Sequence, residues 1–334
     1  MKRIILCGAT ITLMFAGIAS AANLNAAGAT FPAPIYQKWF EEFRAKTGNQ
    51  INYQPVGSSA GVKQLTEGTV DFGASDVPMT DAQLSALKVK AFHFPTVLGA
   101  VVLTYNVPGM TRELKLSGST VGDIFLGDVK KWNDPKIAAD NPGVKLPSTD
   151  IMVIHRADGS GTSGIFTDYL SRVNATWKSK VGAGNSVSWP TGLGSQQNAG
   201  VAGSVKQTPG AIGYVELAYA IQNQMPVVSL KNANGKFVKP TLESVTAAAA
   251  GTKDMPEDFR ISIANGPGDK TYPICSFTWL LIPSQIADAG KKKAVVDFLN
   301  WMLVDGQKDA PGLQYAPLPP AVVAKEKKQI ASIK

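Results

Sequence analysis

Four short segments rich in glycine and hydroxyl side chains lie where a strand-like run gives way to a helical pattern. They are 28–31 (GATF), 57–59 (GSS), 73–76 (GASD) and 159–163 (GSGTS). Because the first backbone N–H groups of a helix are unpaired and lie at the positive end of its dipole, each junction can hold an anion. A simple helix cap explains any one of them more readily. Their recurrence in a single chain favours an anion-binding site.

Arg156 is the most specific residue near these junctions, because it opens the glycine-rich loop 156–163 (RADGSGTS). A guanidinium offers a planar fork of donors that matches an oxyanion. No segment matches G-x-x-x-x-G-K-[ST], so a nucleotide-hydrolysing loop is unsupported. Asp158 follows two residues later, where it would orient Arg156, contact the ligand or form a surface ion pair.

A hydrolase is one alternative, because residues 57–61 (GSSAG) match G-x-S-x-G, the nucleophile elbow. Ser59 would need a histidine base within hydrogen-bond reach. The chain has only His93, in an apolar run typical of a core, and His155, at the end of a predicted strand. Nothing in the sequence pairs either with Ser59, so we expect no enzymatic activity.

Cysteine usage is sparse, with Cys7 in an N-terminal apolar run and Cys275 in the run 272–282 (YPICSFTWLLI). The second run is typical of a buried strand, so we predict a packed, inert thiol at Cys275. Two distant histidines and one such cysteine have no recognised metal-ligand spacing. We therefore expect neither a metal nor another cofactor.

The N-terminus has the pattern of a secretory signal peptide. Lys2 and Arg3 precede an apolar run over 4–18, and the small residues 19–22 follow. This run is shorter than the roughly 20 residues that a membrane-spanning helix needs. We predict a signal peptide over 1–21, followed by a soluble chain long enough for two lobes.

The charge balance is basic, with 33 Lys and Arg against 25 Asp and Glu. Removal of Lys2 and Arg3 with the signal leaves 31 against 25, a net charge of +6. Such an excess suits nucleic acid, an anionic surface or a small anion. Because the lysines are dispersed, with only short clusters such as 291–293, we expect no nucleic-acid partner.

Strand-like runs alternate with helical patterns through most of the chain, which predicts an α/β architecture with mainly parallel strands. In the first predicted helix, Ile35, Trp39 and Phe43 recur every four residues, and Gly48 ends the pattern. Thr80 and Gln83 have the spacing of a capping box, which predicts that another helix begins there.

Two longer stretches complete this assignment. The valine-rich stretch 92–106 is predicted to connect one lobe with the other. The Lys- and Pro-rich tail after Pro311 is of low complexity, and no chemistry is assigned to it.

Several of these motifs together resemble the phosphate-binding proteins of bacterial high-affinity phosphate transporters. Gly164 and Cys275 depart modestly from that family's pattern, and neither lies on a predicted ligand contact. The resemblance covers nearly all of the chain after residue 21. The matching segments are 28–34 (GATFPAP), 57–64 (GSSAGVKQ), 70–76 (VDFGASD), 156–163 (RADGSGTS), 189–190 (WP) and 209–216 (PGAIGYVE).

The resemblance implies a two-lobed periplasmic binding protein fold of type II, in which each lobe is an open, mainly parallel sheet flanked by helices. Lobe I would comprise 22–98 and 272–334, lobe II would comprise 99–271, and a hinge would join them. It also implies a periplasmic monomer that captures inorganic phosphate and delivers it to the membrane permease subunits of an ABC importer.

The resemblance assigns a role to each residue of the site. The turn at 29–31 would give backbone or hydroxyl donors, a serine would add its hydroxyl, and an aspartate would accept the proton of the ligand. Arg156 would meet the charge, Asp158 would position Arg156, and the second lobe would add further donors. The predicted contacts are Ala29, Thr30, Phe31, Ser58, Asp76, Arg156, Asp158, Ser160, Gly161 and Thr162. A binding protein for sulfate, molybdate or phosphonate is the remaining competitor.

Overall fold

A computed structural model describes residues 21–251 and 255–334 of this chain. The predicted signal peptide therefore lies outside the described residues, apart from its last position. Among the helices that are described, none is long and apolar enough to cross a membrane.

The strands of the described part form one large and one small sheet. They are β1 (Asn23–Gly28), β2 (Gln50–Pro55), β3 (Phe72–Ser75), β4 (Ala91–Asn106), β5 (Lys115–Leu116), β6 (Met152–Arg156), β7 (Leu193–Ser195), β8 (Ala211–Glu216), β9 (Ser229–Lys231), β10 (Phe237–Val238) and β11 (Cys275–Pro283). The order is β2-β1-β3-β11-β4-β8-β6-β7 across the large sheet and β10-β9-β5 across the small one.

Helices flank the sheets of the described part, and several of them pack against the large sheet. They are α1 (Ala33–Thr47), α2 (Ser58–Glu67), α3 (Asp81–Ser85), α4 (Gly118–Leu126), α5 (Pro135–Asp140), α6 (Gly161–Val173), α7 (Ala175–Lys180), α8 (Gln197–Gln207), α9 (Leu217–Gln222), α10 (Leu242–Ala250), α11 (Ala289–Met302) and α12 (Pro320–Ile330). Two short 3-10 helices, Gly306–Lys308 and Pro311–Leu313, precede α12.

The predicted α/β architecture is confirmed. Parallel pairing joins β1 to β2 and β3, and β6 to β7 and β8. The strands β4 and β11 instead run antiparallel to their neighbours. Because parallel strands end at the same edge of a sheet, the loops after β1 and β3 lie side by side.

Strand β4 joins the two halves of the large sheet. Its residues 91–100 pair with β11 and its residues 101–106 pair with β8, so the partner changes between Ala100 and Val101. All but two of its residues are buried, which is typical of a strand covered on both faces. The division into lobes at 98/99 and 271/272 stays a prediction.

Several local predictions are confirmed. Helix α1 buries Trp39 and Phe43 and ends at Gly48, whose φ of 78° suits glycine. Thr80 and Gln83 form the predicted capping box of α3. The tail after residue 311, which the sequence shows as a low-complexity stretch without assigned chemistry, contains α12, whose three buried residues fix it to the fold.

Cys275 is the packed thiol that its strand pattern predicts. The side chain is fully buried, and its Sγ donates to the carbonyl oxygen of Tyr272 at 3.3 Å. Burial raises the pKa of this thiol far above its ordinary value. The thiol therefore stays protonated and unreactive at neutral pH.

Candidate anion-binding site

The four glycine-rich junctions meet at one place in the fold. The Ser58 hydroxyl donates to Asp76 Oδ2 at 3.3 Å. A Cβ atom on Gly161 would lie 2.3 Å from Ser58 Oγ and 2.7 Å from Asp76 Cβ, so this approach requires glycine. A Cβ atom on Gly28 would lie 2.0 Å from the Ala74 carbonyl oxygen. These contacts bring the ends of β1, β3 and β6 together around one site.

The turn at 29–31 carries two free backbone donors. The Ala29 N–H donates to the Ala74 carbonyl oxygen at 3.1 Å. This backbone donor, a predicted contact of the ligand, is therefore already engaged. The N–H groups of Thr30 and Phe31 form no hydrogen bond with another described residue. The structure therefore leaves the backbone donors of this turn to Thr30 and Phe31, just before α1.

Asp76 is a fully buried carboxyl group at the end of β3. Its Oδ1 accepts a hydrogen bond of 2.7 Å from Thr278 Oγ1, and its backbone N–H donates to Ser58 Oγ at 3.2 Å. Burial raises the pKa of Asp76 to about 7, although Thr278, Arg156 and Ser58 act in the opposite direction. This carboxyl group can therefore hold or release a proton near neutral pH.

Arg156 ends β6 with a buried guanidinium. Asp158 forms a bidentate ion pair with it: Arg156 Nε donates to Asp158 Oδ1 at 2.7 Å, and Arg156 Nη2 donates to Asp158 Oδ2. Nη1 also lies 3.4 Å from Thr162 Oγ1. Burial would raise the pKa of Asp158, but the hydrogen bonds and charge of Arg156 outweigh it and keep this pKa low. Asp158 thus orients Arg156. The Arg156 side chain is 1% exposed and that of Asp158 11%, so this is not a surface ion pair.

The N-terminus of α6 forms the opposite wall. Ser160 caps this helix, since its Oγ accepts the Ser163 N–H at 3.1 Å, while the Ser160 N–H donates to the Asn185 carbonyl oxygen. The Ser160 N–H is therefore engaged. The N–H groups of Gly161 and Thr162 lie in the first turn, where an α-helix leaves its donors unpaired. The three predicted residues of this wall, Ser160, Gly161 and Thr162, are all buried and lie at the N-cap and in the first turn of α6.

Two further residues at the site, Asn198 and Thr278, could not be identified from the sequence, because the local pattern around each is too weak a signal. Asn198 is fully buried, and its Nδ2 donates to Thr30 Oγ1 at 2.8 Å and to Thr162 Oγ1 at 3.1 Å. It lies in a polar stretch that resembles an ordinary helix start. The only signal for Thr278 is a hydroxyl group within an apolar strand.

Comparison with known proteins identifies the family. A model described as a PBP superfamily domain matches residues 16–305. The phosphate-binding protein PstS of Xylella fastidiosa is 45% identical over 303 residues, which cover 90% of this chain and 83% of the relative. The PstS of Haemophilus influenzae is 43% identical, and the match covers 96% of both chains. This chain belongs to the PstS family.

Solved structures share the fold of this PstS-family chain. A high affinity periplasmic phosphate-binding protein (PfluDING), solved with bound phosphate, superposes with a TM-score of 0.73 at 20% identity, covering 92% of this chain and 93% of the other. A phosphate-binding protein from Stenotrophomonas maltophilia gives 0.70 at 18% identity, covering 92% and 93%. The predicted periplasmic binding protein fold is confirmed.

The histidines of this PstS-family chain are engaged away from Ser59. His93 Nε2 accepts the Met79 N–H at 3.0 Å, and burial lowers the pKa of His93 to about 4. The His155 ring stacks on Trp189 with centroids 4.8 Å apart. Across 21–251 and 255–334, no hydrogen bond joins Ser59 to either ring. Among the described residues, the nucleophile-elbow match therefore has no histidine hydrogen-bonded to its serine.

A cleft of about 470 Å³ adjoins the site. Asp76 and Ser59 line it together with apolar side chains such as Val77 and Ile165, whereas Arg156 does not. Asp76 is thus common to the open cleft and to the buried site.

Proposed function

We propose that this protein binds inorganic phosphate between its lobes and delivers it to the permease subunits of an ABC importer. The observation that carries the proposal is that Arg156 and Asp76 are buried at one site, close enough for the charge of Arg156 to lower the pKa of Asp76. Arg156 attracts an oxyanion, and Asp76 requires a proton between itself and that anion. Phosphate meets both requirements, because it is an anion that keeps a P–OH near neutral pH.

Hydrogen-bond donors surround the proposed position of the anion. The backbone N–H groups of Thr30 and Phe31 approach from one side, and the first turn of α6 approaches from the other with Gly161 and Thr162. Arg156 adds charge-assisted hydrogen bonds from its fork. Ser58 and Ser160 add hydroxyl groups, while Ala29 and Asp158 hold the turn and the arginine in place.

The proposed lobes are 22–98 with 272–334, and 99–271. The change of pairing partner along β4 between Ala100 and Val101 supports this division. The proposed lobes contact each other, since the Ser59 N–H donates to the Gly159 carbonyl oxygen at 3.0 Å and Gln197 Nε2 donates to the Pro55 carbonyl oxygen at 2.8 Å. In this proposal the two lobes close over the anion and exclude water, which strengthens each of its hydrogen bonds.

The proposed setting is the periplasm, where the protein acts as a monomer. The signal peptide pattern at 1–21 supports export, and the relatives named PstS support a role beside a transporter. The proposal requires no metal or other cofactor, and it includes no catalytic step at Ser59.

Calorimetric titration of the chain from residue 22 tests the proposal, after unfolding and dialysis have removed any bound anion. We expect one phosphate to bind per chain, at least tenfold more tightly than sulfate, molybdate or phosphonate. Tighter binding of one of those anions would make it the ligand instead. Turnover of a chromogenic phosphate ester without phosphate binding would contradict the proposal altogether.

A further inference from the structure

Three consecutive carbonyl groups, at residues 29, 30 and 31, each accept a hydrogen bond from a tyrosine hydroxyl. The pairs are Tyr53 with Ala29 at 2.6 Å, Tyr219 with Thr30 at 2.7 Å, and Tyr315 with Phe31 at 2.7 Å. The tyrosines come from β2, from α9 and from the segment before α12. Three distant parts of the chain thus converge on one turn.

The three tyrosine hydroxyl groups stay protonated, so they remain hydrogen-bond donors. Burial raises the pKa of Tyr53, Tyr219 and Tyr315 far above the ordinary tyrosine value. Each hydroxyl therefore keeps its proton at neutral pH. The Tyr53 and Tyr219 hydroxyl groups each have a carbonyl oxygen as their partner, which can only accept. The Tyr315 hydroxyl lies 2.7 Å from the Phe31 carbonyl oxygen and also 3.2 Å from Glu216 Oε2.

The three bonds act on different peptide groups. A carbonyl group shares its peptide with the N–H of the next residue, so the Tyr53 bond polarises the N–H of Thr30 and the Tyr219 bond polarises the N–H of Phe31. A hydrogen bond to one end of a peptide strengthens the donor at the other end. The Tyr315 bond falls on the peptide of Pro32, which has no N–H.

We infer that Tyr53 and Tyr219 are positioning residues that set the direction and strength of the Thr30 and Phe31 backbone donors, whereas Tyr315 only holds the turn in place. The inference rests on the proposed function, because it concerns donors to the same anion. None of the three tyrosines touches the anion itself.

Tyr219 also makes the inferred effect depend on lobe closure. It lies within 99–271, whereas Thr30 lies within 22–98, so its hydrogen bond joins the two proposed lobes. Opening of the lobes breaks this bond and weakens the Phe31 donor at the same moment. Loss of the Tyr219 hydroxyl should therefore speed phosphate release and leave phosphate capture unchanged.

The experiment compares Tyr53→Phe, Tyr219→Phe and Tyr315→Phe with the parent. Tyr169→Phe is the matched control, because the Tyr169 hydroxyl is buried without a hydrogen-bond partner among the described residues. Stopped-flow binding of phosphate gives the two rate constants, and thermal unfolding without phosphate shows whether each variant is folded.

We expect Tyr219→Phe to raise the dissociation rate about three- to tenfold, as loss of one hydrogen bond predicts, with an unchanged association rate. Tyr53→Phe should weaken affinity by a similar factor, while Tyr315→Phe and Tyr169→Phe should stay within about twofold of the parent. A Tyr219→Phe dissociation rate equal to that of the parent, or an equal loss in Tyr315→Phe, would overturn the inference.

Backbone NMR of the phosphate-free protein separates this inference from the proposed function. A weaker hydrogen bond at a carbonyl moves the amide proton of the next residue upfield. Tyr53→Phe should therefore shift the Thr30 amide proton, whereas Tyr315→Phe should shift neither Thr30 nor Phe31. If the parent fails to bind phosphate, the proposed function fails, and these shifts still decide whether the tyrosines act on the turn; an unmoved Thr30 proton overturns the inference.

Discussion

The Thr278 hydroxyl donates a hydrogen bond of 2.7 Å to Asp76 Oδ1, although 202 positions separate the two residues in the chain. They meet because β11 returns antiparallel beside β3, where Trp279 lies opposite Ser75. This bond favours the charged form of Asp76, but burial has the larger effect and raises its pKa to about 7. Asp76 can therefore bind or release a proton near neutral pH.

The phosphate-free protein should lose stability as the pH rises through neutrality, because folded Asp76 binds its proton more tightly than unfolded Asp76. Its contribution to the free energy of unfolding is fully present below pH 3.8 and is lost as the pH rises through about 7. Asp76→Asn lacks this contribution. Urea unfolding measures the free energy of unfolding at each pH. The slope of this free energy against pH should differ between the parent and Asp76→Asn by up to about 1.4 kcal/mol per pH unit.

Asp150→Asn is the control for this prediction, because the Asp150 side chain is 81% exposed. It should keep the slope of the parent. Burial also raises the pKa values of Glu216 and Glu326, and both residues remain in all three proteins. The effect of Glu326 therefore cancels in the comparison, whereas the charge of Asp76 adds a smaller contribution to the Glu216 shift, which Asp76→Asn removes. Equal slopes in Asp76→Asn and the parent would show that Asp76 has an ordinary pKa.

Arg156→Ala should weaken phosphate binding by roughly 2–5 kcal/mol, by analogy with the loss of one partner of a buried charge pair. Arg156→Lys should fall between this variant and the parent, since it keeps the charge and loses the planar fork. Calorimetry measures both, with the exposed Arg44→Ala as control. An affinity of Arg156→Ala within threefold of the parent would exclude Arg156 as a ligand contact.

Local patterns in the sequence predict those parts of the fold that neighbouring residues determine. The four-residue spacing of Ile35 and Trp39 predicts α1, because one face of that helix is buried whatever lies against it. The junction at 28–31 implies a strand before it, but the bounds of β1 (NLNAAG) could not be predicted, since this strand is short and rich in small and polar residues. Its strand conformation depends on pairing with β2 and β3, which are distant in sequence.

The same limit applies to the site. Arg156 and Asp158 are two residues apart, so their interaction could be inferred from the loop itself. Asn198 and Thr278 reach the site only through long-range packing, and the three tyrosines of the turn do so as well. The engaged N–H of Ala29 depends on the distance between β1 and β3, which no local pattern encodes.

Asn198→Asp should weaken phosphate binding at least tenfold, about 1.4 kcal/mol. The change keeps the Oδ1 acceptor that receives the Glu216 N–H at 2.9 Å, but it removes both donors to Thr30 and Thr162. It also adds negative charge beside the anion. Asn300→Asp, on the exposed face of α11, is the calorimetric control and should leave the affinity unchanged. An Asn198→Asp affinity equal to that of the parent would contradict a role for Asn198.

The lobes should close when phosphate binds, by rotation about the segments near Leu98 and Tyr272. Hinge closure around a ligand is the established behaviour of periplasmic binding proteins. Small-angle scattering should therefore give a smaller radius of gyration with phosphate than without it. Arg156→Ala should keep the larger value at a phosphate concentration that saturates the parent. An unchanged profile of the parent, with binding verified in the same sample, would count against closure.

Asp76→Asn should narrow the preference for phosphate over sulfate at least tenfold, about 1.4 kcal/mol. The carboxylate of Asp76 accepts the P–OH of phosphate, whereas sulfate has no proton to offer and leaves two negative charges facing each other in a buried site. An asparagine amide donates to either anion, so the discrimination is lost. Arsenate keeps a proton at similar pH, and its ratio to phosphate should stay nearly unchanged.

The pH dependence of sulfate binding gives the same prediction a sharper form. Once protonated, Asp76 can donate to sulfate, so the sulfate affinity of the parent should level off below its pKa of about 7 and fall about tenfold per pH unit above it. In Asp76→Asn the sulfate affinity should not depend on pH in this range. Competitive binding of phosphate, sulfate and arsenate to both proteins between pH 6 and about 8 measures these ratios. If the variant excludes sulfate as strongly as the parent does at every pH, other groups discriminate between the anions and Asp76 does not.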